Sequence, residues 1–191
     1  MKRDADKTVQ ALLDAAEKLM SECNDPSEVT ARAITAEAGV NLAMINYFFG
    51  SREGLLFEVF TRLQNEAMER DGTFREIITG DMLPKEKLIE VHIRSMRLML
   101  ENYNLSKSLT KYVLMNRQIQ ADRGSLRFIL DHFGDTKSEG ECRLIAFEIS
   151  SLHELAVLRY DEIRQVCGMD LTDDDTLRAF VTENVNRFLG G

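Results

Sequence analysis

Histidine is the residue type that most often binds metals or transfers protons in proteins. This chain of 191 residues has three histidines. His92, His132 and His153 lie far apart along the chain and match no metal-ligand spacing such as HExxH. The sequence also contains no nucleophile elbow, no phosphate-binding loop and no paired-carboxylate motif. We therefore expect a protein that is not an enzyme and that needs neither a cofactor nor a metal.

The first fifty residues have a different character, because short apolar segments alternate there with turn and capping residues. Thr30 and Asn41 are residue types that cap the start of a helix, and Gly39 and Gly50 are placed to end one. Two short helices joined by a glycine turn form a helix-turn-helix, although such hairpins also occur in all-α proteins of other functions. Apolar periodicity and these end signals together predict helices over about residues 6–23, 30–39 and 41–50.

The segment from Thr30 to Leu56 reads TARAITAEAGVNLAMINYFFGSREGLL and closely resembles the DNA-binding head of the TetR family of regulators. The resemblance rests on the Ile34 helix, the turn at 38–40, the run 45–49 and the segment 50–56, and it covers roughly residues 8–60. It implies an all-α fold. Residues 1–52 would form a three-helix DNA-binding domain with the helix-turn-helix, and residues 53–191 a helical bundle that dimerises and holds a ligand.

The resemblance also implies roles for individual residues. Thr30 matches a hydroxyl that caps the second helix and touches a phosphate, and Arg32 matches a position that reaches a base edge or the backbone. Tyr47 matches an aromatic whose hydroxyl meets a phosphate. Arg52 matches a basic residue, more often lysine in the family, that holds a phosphate. The start of the recognition helix and its groove-facing positions correspond to Asn41, Leu42, Ala43, Met44 and Asn46.

The chemistry of these side chains favours a particular kind of operator. Asparagine pairs in a bidentate way with adenine, and arginine with guanine, so Asn46 and Arg32 are the base readers expected here. The apolar recognition-helix residues suit thymine methyl groups. We expect an A·T-leaning core with about one guanine per half-site.

Each assignment has a purely structural alternative. Thr30 caps its helix whether or not DNA is present, and Arg32 could be a solvated surface charge. Tyr47 could be half-buried packing, and Arg52 could pair with Glu53. Leu42 and Met44 could be exposed without contacting a base.

The remaining sequence is helical in character. Pro84 suits the first turn of a helix, and shorter helices are predicted around residues 105–115 and 125–133. The segment 141–166 is apolar on more than one face, and a last helix opens at Thr172 and carries an apolar stripe over 177–189. These two helices could form a two-fold dimer surface or could simply complete the core of one protomer.

Methionine and aromatic residues on the central helices suggest a ligand pocket, because such side chains line adaptable apolar cavities. Plain core packing is the alternative. The leading hypothesis is a repressor that binds a palindromic operator as a homodimer and is released by a small apolar ligand. The alternative is a helix-turn-helix protein controlled by a protein partner. The residues expected at the pocket are Met96, Met99, Tyr103, Tyr112, Met115 and Phe128.

Overall charge argues mildly against nucleic-acid binding, because the net charge is −8 and the pI is about 5.0. Residues 1–52 contain six basic and eight acidic side chains. Any DNA contact must therefore come from a few well-placed cations and helix ends. The chain has no apolar run near the roughly 20 residues that span a membrane, its first ten residues are polar, and its three cysteines show no CxxC spacing. We expect a cytoplasmic protein with reduced core thiols and no membrane association.

Overall fold

The computed structural model describes residues 2–23, 25–70, 72–116 and 124–190, and these segments contain helices and no strand. The predicted all-α class is confirmed. The longer helices are α1 (Lys2–Glu22), α2 (Ala31–Ala38), α3 (Ala43–Phe49), α4 (Arg52–Arg70), α5 (Gly72–Thr79), α6 (Pro84–Glu101), α7 (Tyr103–Asn116), α8 (Leu126–Phe133), α9 (Glu139–Leu158) and α11 (Asp174–Leu189). Short helical turns lie at Pro26–Glu28, Gly134–Thr136, Tyr160–Glu162 (α10) and Ile163–Cys167.

Local signals define the boundaries of α2 and α3. Thr30 is extended, and its hydroxyl oxygen accepts the Ala33 amide at 3.2 Å, which starts α2. Gly39 ends α2 in the left-handed conformation, with a φ of 66°. The Asn41 side-chain oxygen then accepts the Ala43 amide at 2.8 Å, so α3 begins two residues after the asparagine.

The N-terminal core contains residues from α1 to α4 and also from α7. Its buried members include Leu12 and Ala16 of α1, Ile34 of α2, Ile45 of α3, Leu55 and Val59 of α4, and Leu105 and Leu109 of α7. Burying these side chains removes apolar surface from water and holds the helix-turn-helix in place. Packing is continuous across the predicted domain boundary at 52/53, because α4 and α7 belong to the same core as α1 to α3.

The C-terminal core is built by α6, α8, α9 and α11. Pro84 occupies the first position of α6, as predicted. Ser138 and Glu141 form a reciprocal cap at the start of α9, in which the Ser138 hydroxyl accepts the Glu141 amide at 3.3 Å. The Asp173 carboxylate accepts the Thr176 amide at 2.9 Å, so this residue, the first of the three aspartates that follow Thr172, caps α11.

Other expectations for the body need correction. The helix predicted over 141–166 ends at Leu158, and a π-helical turn at Ile163–Cys167 follows it. Val181, expected on a shared apolar stripe, is fully buried in the core of its own protomer. Cys167, expected as a core thiol, is exposed.

Candidate nucleic-acid interface

The helix α3 is amphipathic, with one face in the core and the other in water. Ile45 is 1% exposed, and Phe48 and Phe49 pack against the same core. The opposite face carries the expected groove-facing residues, and Met44 is half-buried at the edge. Exposed on that side are Asn41, Leu42, Ala43, Asn46 and Tyr47. The burial of Ile45 therefore determines which α3 side chains face outward.

Tyr47 is the most exposed large apolar side chain of α3, at 76%. Its ring makes an edge contact with Phe48, with 4.8 Å between centroids. The alternative that Tyr47 is a half-buried packing residue is not what the structure shows. Its hydroxyl is free of the core and can reach a partner outside the protein.

Thr30 stands at the exposed N-terminus of α2. Its hydroxyl oxygen accepts the Ala33 amide, and a hydroxyl that accepts one hydrogen bond still has its own hydrogen to donate. The helix N-terminus adds a partial positive charge and amide groups without partners. Thr30 can therefore cap the helix and donate to a phosphate at the same time.

Few positive charges are available near α2 and α3. Arg32 and Arg52 are the only basic residues between positions 25 and 52. The Arg32 side chain is exposed and makes no ion pair or hydrogen bond with any residue that the structure describes. Lys18 of α1 lies 2.6 Å from Glu37, which neutralises it locally. Arg32 is thus the cation of this surface that remains available to an incoming anion.

Arg52 is placed differently from the phosphate-binding residue that the resemblance implies. Its guanidinium donates hydrogen bonds to the backbone carbonyls of Ser27 and Val29 and lies 3.1 Å from the Glu53 carboxylate. Its side chain is only 22% exposed. In this conformation Arg52 joins the start of α4 to the turn before α2, and its donors point into the protein.

Gly54 was not identified from the sequence, although its position in the first turn of a helix was a signal, because glycine is a poor helix former. A Cβ atom at Gly54 would lie 2.2 Å from the carbonyl oxygen of Phe49 and 2.8 Å from the Tyr112 hydroxyl oxygen. The absence of a side chain thus allows three elements, α3, α4 and α7, to approach one another closely.

A second contact joins α7 to the N-terminal part of the chain. The Asn104 amide donates to the Asp25 carboxylate at 3.2 Å. Tyr112 lies two turns further along α7, with its ring 6.4 Å from that of Phe57 in α4. The helix α7 therefore contacts the segment before α2 near one end and α4 near the other.

A partly open cavity of about 650 Å³ lies in the body, next to these contacts. Its wall includes Phe57 and Phe60 of α4, and Leu109 and Val113 of α7. The volume is within the roughly 300–1,000 Å³ range of small-molecule pockets. Both α4, which packs on α1 and α3, and α7, which contacts the turn before α2, therefore border the cavity.

Only half of the residues predicted for the pocket lie in this wall. Met96, Met99 and Phe128 line the cavity. The other three are not among the described lining residues. Tyr103 donates a hydrogen bond to Asp161 at 2.8 Å, and Tyr112 packs on Gly54 and Phe57. Met115 is 79% exposed at the end of α7.

Polar lining residues were missed by sequence reasoning. His92 and His153 lie 61 positions apart, yet their Nδ1 atoms are 3.0 Å from each other. The second His92 nitrogen, Nε2, is 3.0 Å from the Ser125 hydroxyl oxygen. Burial and the neighbouring His92 hold the pKa of His153 well below its usual range. His153 is therefore uncharged at neutral pH.

Two structural features are absent from the described residues. None of the helices they form is both long enough and apolar enough to cross a membrane. The same residues contain no group of three or more His, Cys, Asp or Glu side chains arranged to hold a metal ion.

Comparison with known proteins identifies the N-terminal part. The sequence model of the family described as bacterial regulatory proteins, tetR family, matches residues 12–59. No curated protein sequence matches the chain. Among solved structures, a TetR-like transcriptional regulator from Rhodococcus sp. RHA1 is similar, with 16% sequence identity, 96% of each chain covered and a TM-score of 0.49.

Proposed function

Residues 12–59 of this chain match the model of the tetR family of bacterial regulatory proteins, and we propose that the protein is a dimeric repressor of this family that is released from its operator by a small molecule. The observation that carries the proposal is the exposed face of α3. That face places Asn46 and Tyr47 in water while Ile45 locks the opposite face into the core.

The proposed DNA contacts divide into anchors and readers. Thr30 and Tyr47 can donate hydrogen bonds to phosphates, which fix the position of the protein without reading sequence. Asn46 can pair with adenine, and Arg32, the available cation, can reach guanine or a phosphate. The recognition helix starts at Asn41, and Leu42, Ala43 and Met44 offer apolar contacts to thymine methyl groups.

A dimer is supported by apolar side chains that one protomer leaves in water. Leu144, Leu152 and Leu155 of α9 are 50%, 39% and 45% exposed. They lie on one side of the helix, opposite the buried Ala146, Ile149 and His153. A second copy of the chain related by a two-fold axis would cover this leucine surface with its own. The two recognition helices would then reach half-sites about 34–36 Å apart.

Ligand control is supported by the position of the cavity. Its walls are formed in part by α4, which packs on α1 and α3, and by α7, which contacts α4 and the turn before α2. A ligand releases DNA only if it binds the DNA-free state more tightly, and full switching requires about a 10⁴-fold difference in affinity. A cavity bordered by α4 and α7 can supply such a difference in affinity, because the cavity changes shape when these two helices move. Control by a protein partner, the alternative, has no comparable feature in its support.

The proposal is tested by selecting bound sequences from random double-stranded DNA with the purified protein, at a stated salt concentration. We expect an inverted repeat with A·T-rich half-sites and one protein dimer per site by analytical ultracentrifugation. A protein that enriches no sequence, or that sediments as a folded monomer at micromolar concentration with and without DNA, would contradict the proposal.

A further inference from the structure

The cavity wall contains a chain of hydrogen bonds that begins at Ser125 and ends at His153. The Ser125 hydroxyl contacts His92 Nε2, and His92 Nδ1 contacts His153 Nδ1, each at 3.0 Å. The two rings meet edge to face, with 4.7 Å between their centroids. All three residues line the cavity.

The chain can be protonated in two ways, because a neutral imidazole has one N–H and one bare nitrogen. If His92 donates to His153 through Nδ1, the Nε2 of His153 carries a hydrogen. If His153 donates instead, its Nε2 is bare and accepts. In both arrangements this Nε2 atom, which is buried, has no hydrogen-bond partner among the described residues. The Nε2 atom of His153 can therefore donate a hydrogen bond in one arrangement and accept one in the other.

Ser106 provides a second unmatched group in the same wall. It lies on α7 and is 2% exposed, and its hydroxyl oxygen also has no hydrogen-bond partner among the described residues. Buried polar groups in native proteins are nearly always hydrogen-bonded. The unmatched atoms of His153 and Ser106, both residues of the cavity wall, thus indicate that the cavity contents complete their hydrogen bonds.

We propose that the cavity binds an uncharged amphipathic molecule, with its hydroxyl or carbonyl group at His153 and Ser106 and its apolar part against Phe57, Phe60 and Met99. The inference rests on the proposed function and names the chemical class of its ligand. It differs from the sequence expectation of a small apolar ligand by adding a polar group.

The charges around the cavity favour an uncharged ligand over an anionic one. The pKa of His153 is held well below its usual range, so His153 offers an anion no positive charge. Glu154 lies in the same wall, where its carboxylate disfavours a second carboxylate. Arg127 is exposed beside the Phe128 ring, at 5.7 Å, where water screens its charge.

Three probes of equal chain length test the proposal: 1-octanol, octanoate and octylammonium. Their affinities for the full-length protein are measured by isothermal titration calorimetry at pH 7.5, without DNA. We expect 1-octanol to bind most tightly. Tighter binding of either ion, or no binding of 1-octanol, would overturn the proposal.

Protein variants locate the polar contact. Ser106→Ala removes one hydroxyl with little change in volume, and it should weaken 1-octanol binding about three- to tenfold, the usual range for one neutral hydrogen bond. Thr61→Val, the matched control, removes a hydroxyl elsewhere in the wall and should leave the affinity unchanged. His153→Phe should also weaken binding, and if this variant does not fold, Ser106→Ala decides. Equal affinities for the wild type and both hydroxyl variants would overturn the proposed position.

The outcomes separate this inference from the proposed function. If 1-octanol binds as expected but leaves operator DNA bound, the ligand class stands and ligand-controlled release fails. If the protein selects an operator but binds no 1-octanol, the ligand class fails and DNA binding stands.

Discussion

Replacing Arg52 with alanine tests whether this side chain stabilises the fold through its hydrogen bonds to backbone carbonyls or binds a DNA phosphate. The wild-type guanidinium donates to two backbone carbonyls, those of Ser27 and Val29. A hydrogen bond to a charged group contributes about 1.5–3 kcal/mol. The two bonds share one side chain that is 22% exposed and so partly screened. We therefore expect Arg52→Ala to reduce the free energy of unfolding by about 2–3 kcal/mol in total.

The assay combines thermal unfolding with DNA binding at several salt concentrations. For a chain of this size, about 2–3 kcal/mol corresponds to a fall in Tm of about 4–12 °C. A residue that touches no phosphate releases no counterion, so the salt dependence of DNA affinity should keep its wild-type slope. The affinity itself should fall, because the start of α2 is less well positioned.

Arg32→Ala is the matched control, because it removes the other nearby cation. Arg32 is exposed and makes no ion pair within the described chain. We expect its removal to change the free energy of unfolding by less than about 0.5 kcal/mol and to flatten the salt dependence by about two counterions per dimer. The reasoning is refuted if Arg52→Ala keeps the wild-type Tm and flattens the salt slope, since Arg52 would then be a phosphate anchor.

Further predictions concern reading, assembly, packing and pH. Asn46→Ala should weaken operator binding by about 1–3 kcal/mol per half-site and relax preference at one base pair; uniform weakening on all single-base variants of the site would contradict a reading role. Leu144→Glu combined with Leu155→Glu should give a folded monomer by ultracentrifugation and circular dichroism, and a persistent dimer would place the interface elsewhere. Gly54→Ala should lower the free energy of unfolding in urea by about 1–3 kcal/mol, because its Cβ would clash with a backbone carbonyl; wild-type stability would rule out the close approach. Hydrogen bonds from neighbouring hydroxyl and amide groups lower the pKa of Asp170 to about 2, from 3.8. The unfolded chain thus takes up this proton first, and the stability that Asp170 provides is lost as pH falls from about 4 to about 2. Asp170→Asn should flatten the stability curve in that window, and parallel curves would contradict the assignment.

The sequence predicted the helix-turn-helix well because its signals are local. Thr30 and Gly39 each act on atoms within a few residues of themselves, so their roles could be inferred without knowledge of the fold. Asn41 illustrates the limit of this approach: its cap was expected, but α3 begins two residues later.

Features that depend on tertiary packing could not be predicted. The direction of the long Arg52 side chain is determined by carbonyls more than twenty positions away. Met96 and Met115 look equivalent as sequence, yet one is buried at the cavity and the other is in water. His92 and His153 come together only because α6 packs against α9.

Two residues of α7, Asn104 and Tyr112, contact the N-terminal part of the chain. The distance between these contacts determines how far α7 rotates when one of them is displaced. Asn104 and Tyr112 are eight positions apart, which corresponds to about 12 Å along a helix. With the helix held at both points, a displacement of α7 at one end changes its angle to α4 and to the turn before α2. A 1 Å displacement of one contact relative to the other is a rotation of about 5° over this baseline. In the proposed dimer the recognition helices would fit successive major grooves about 34–36 Å apart, so rotations of opposite sense in the two protomers would add at the DNA. On the proposed function, the short spacing of these two contacts would thus convert a displacement of about 1 Å at the cavity into a change in the separation of the recognition helices.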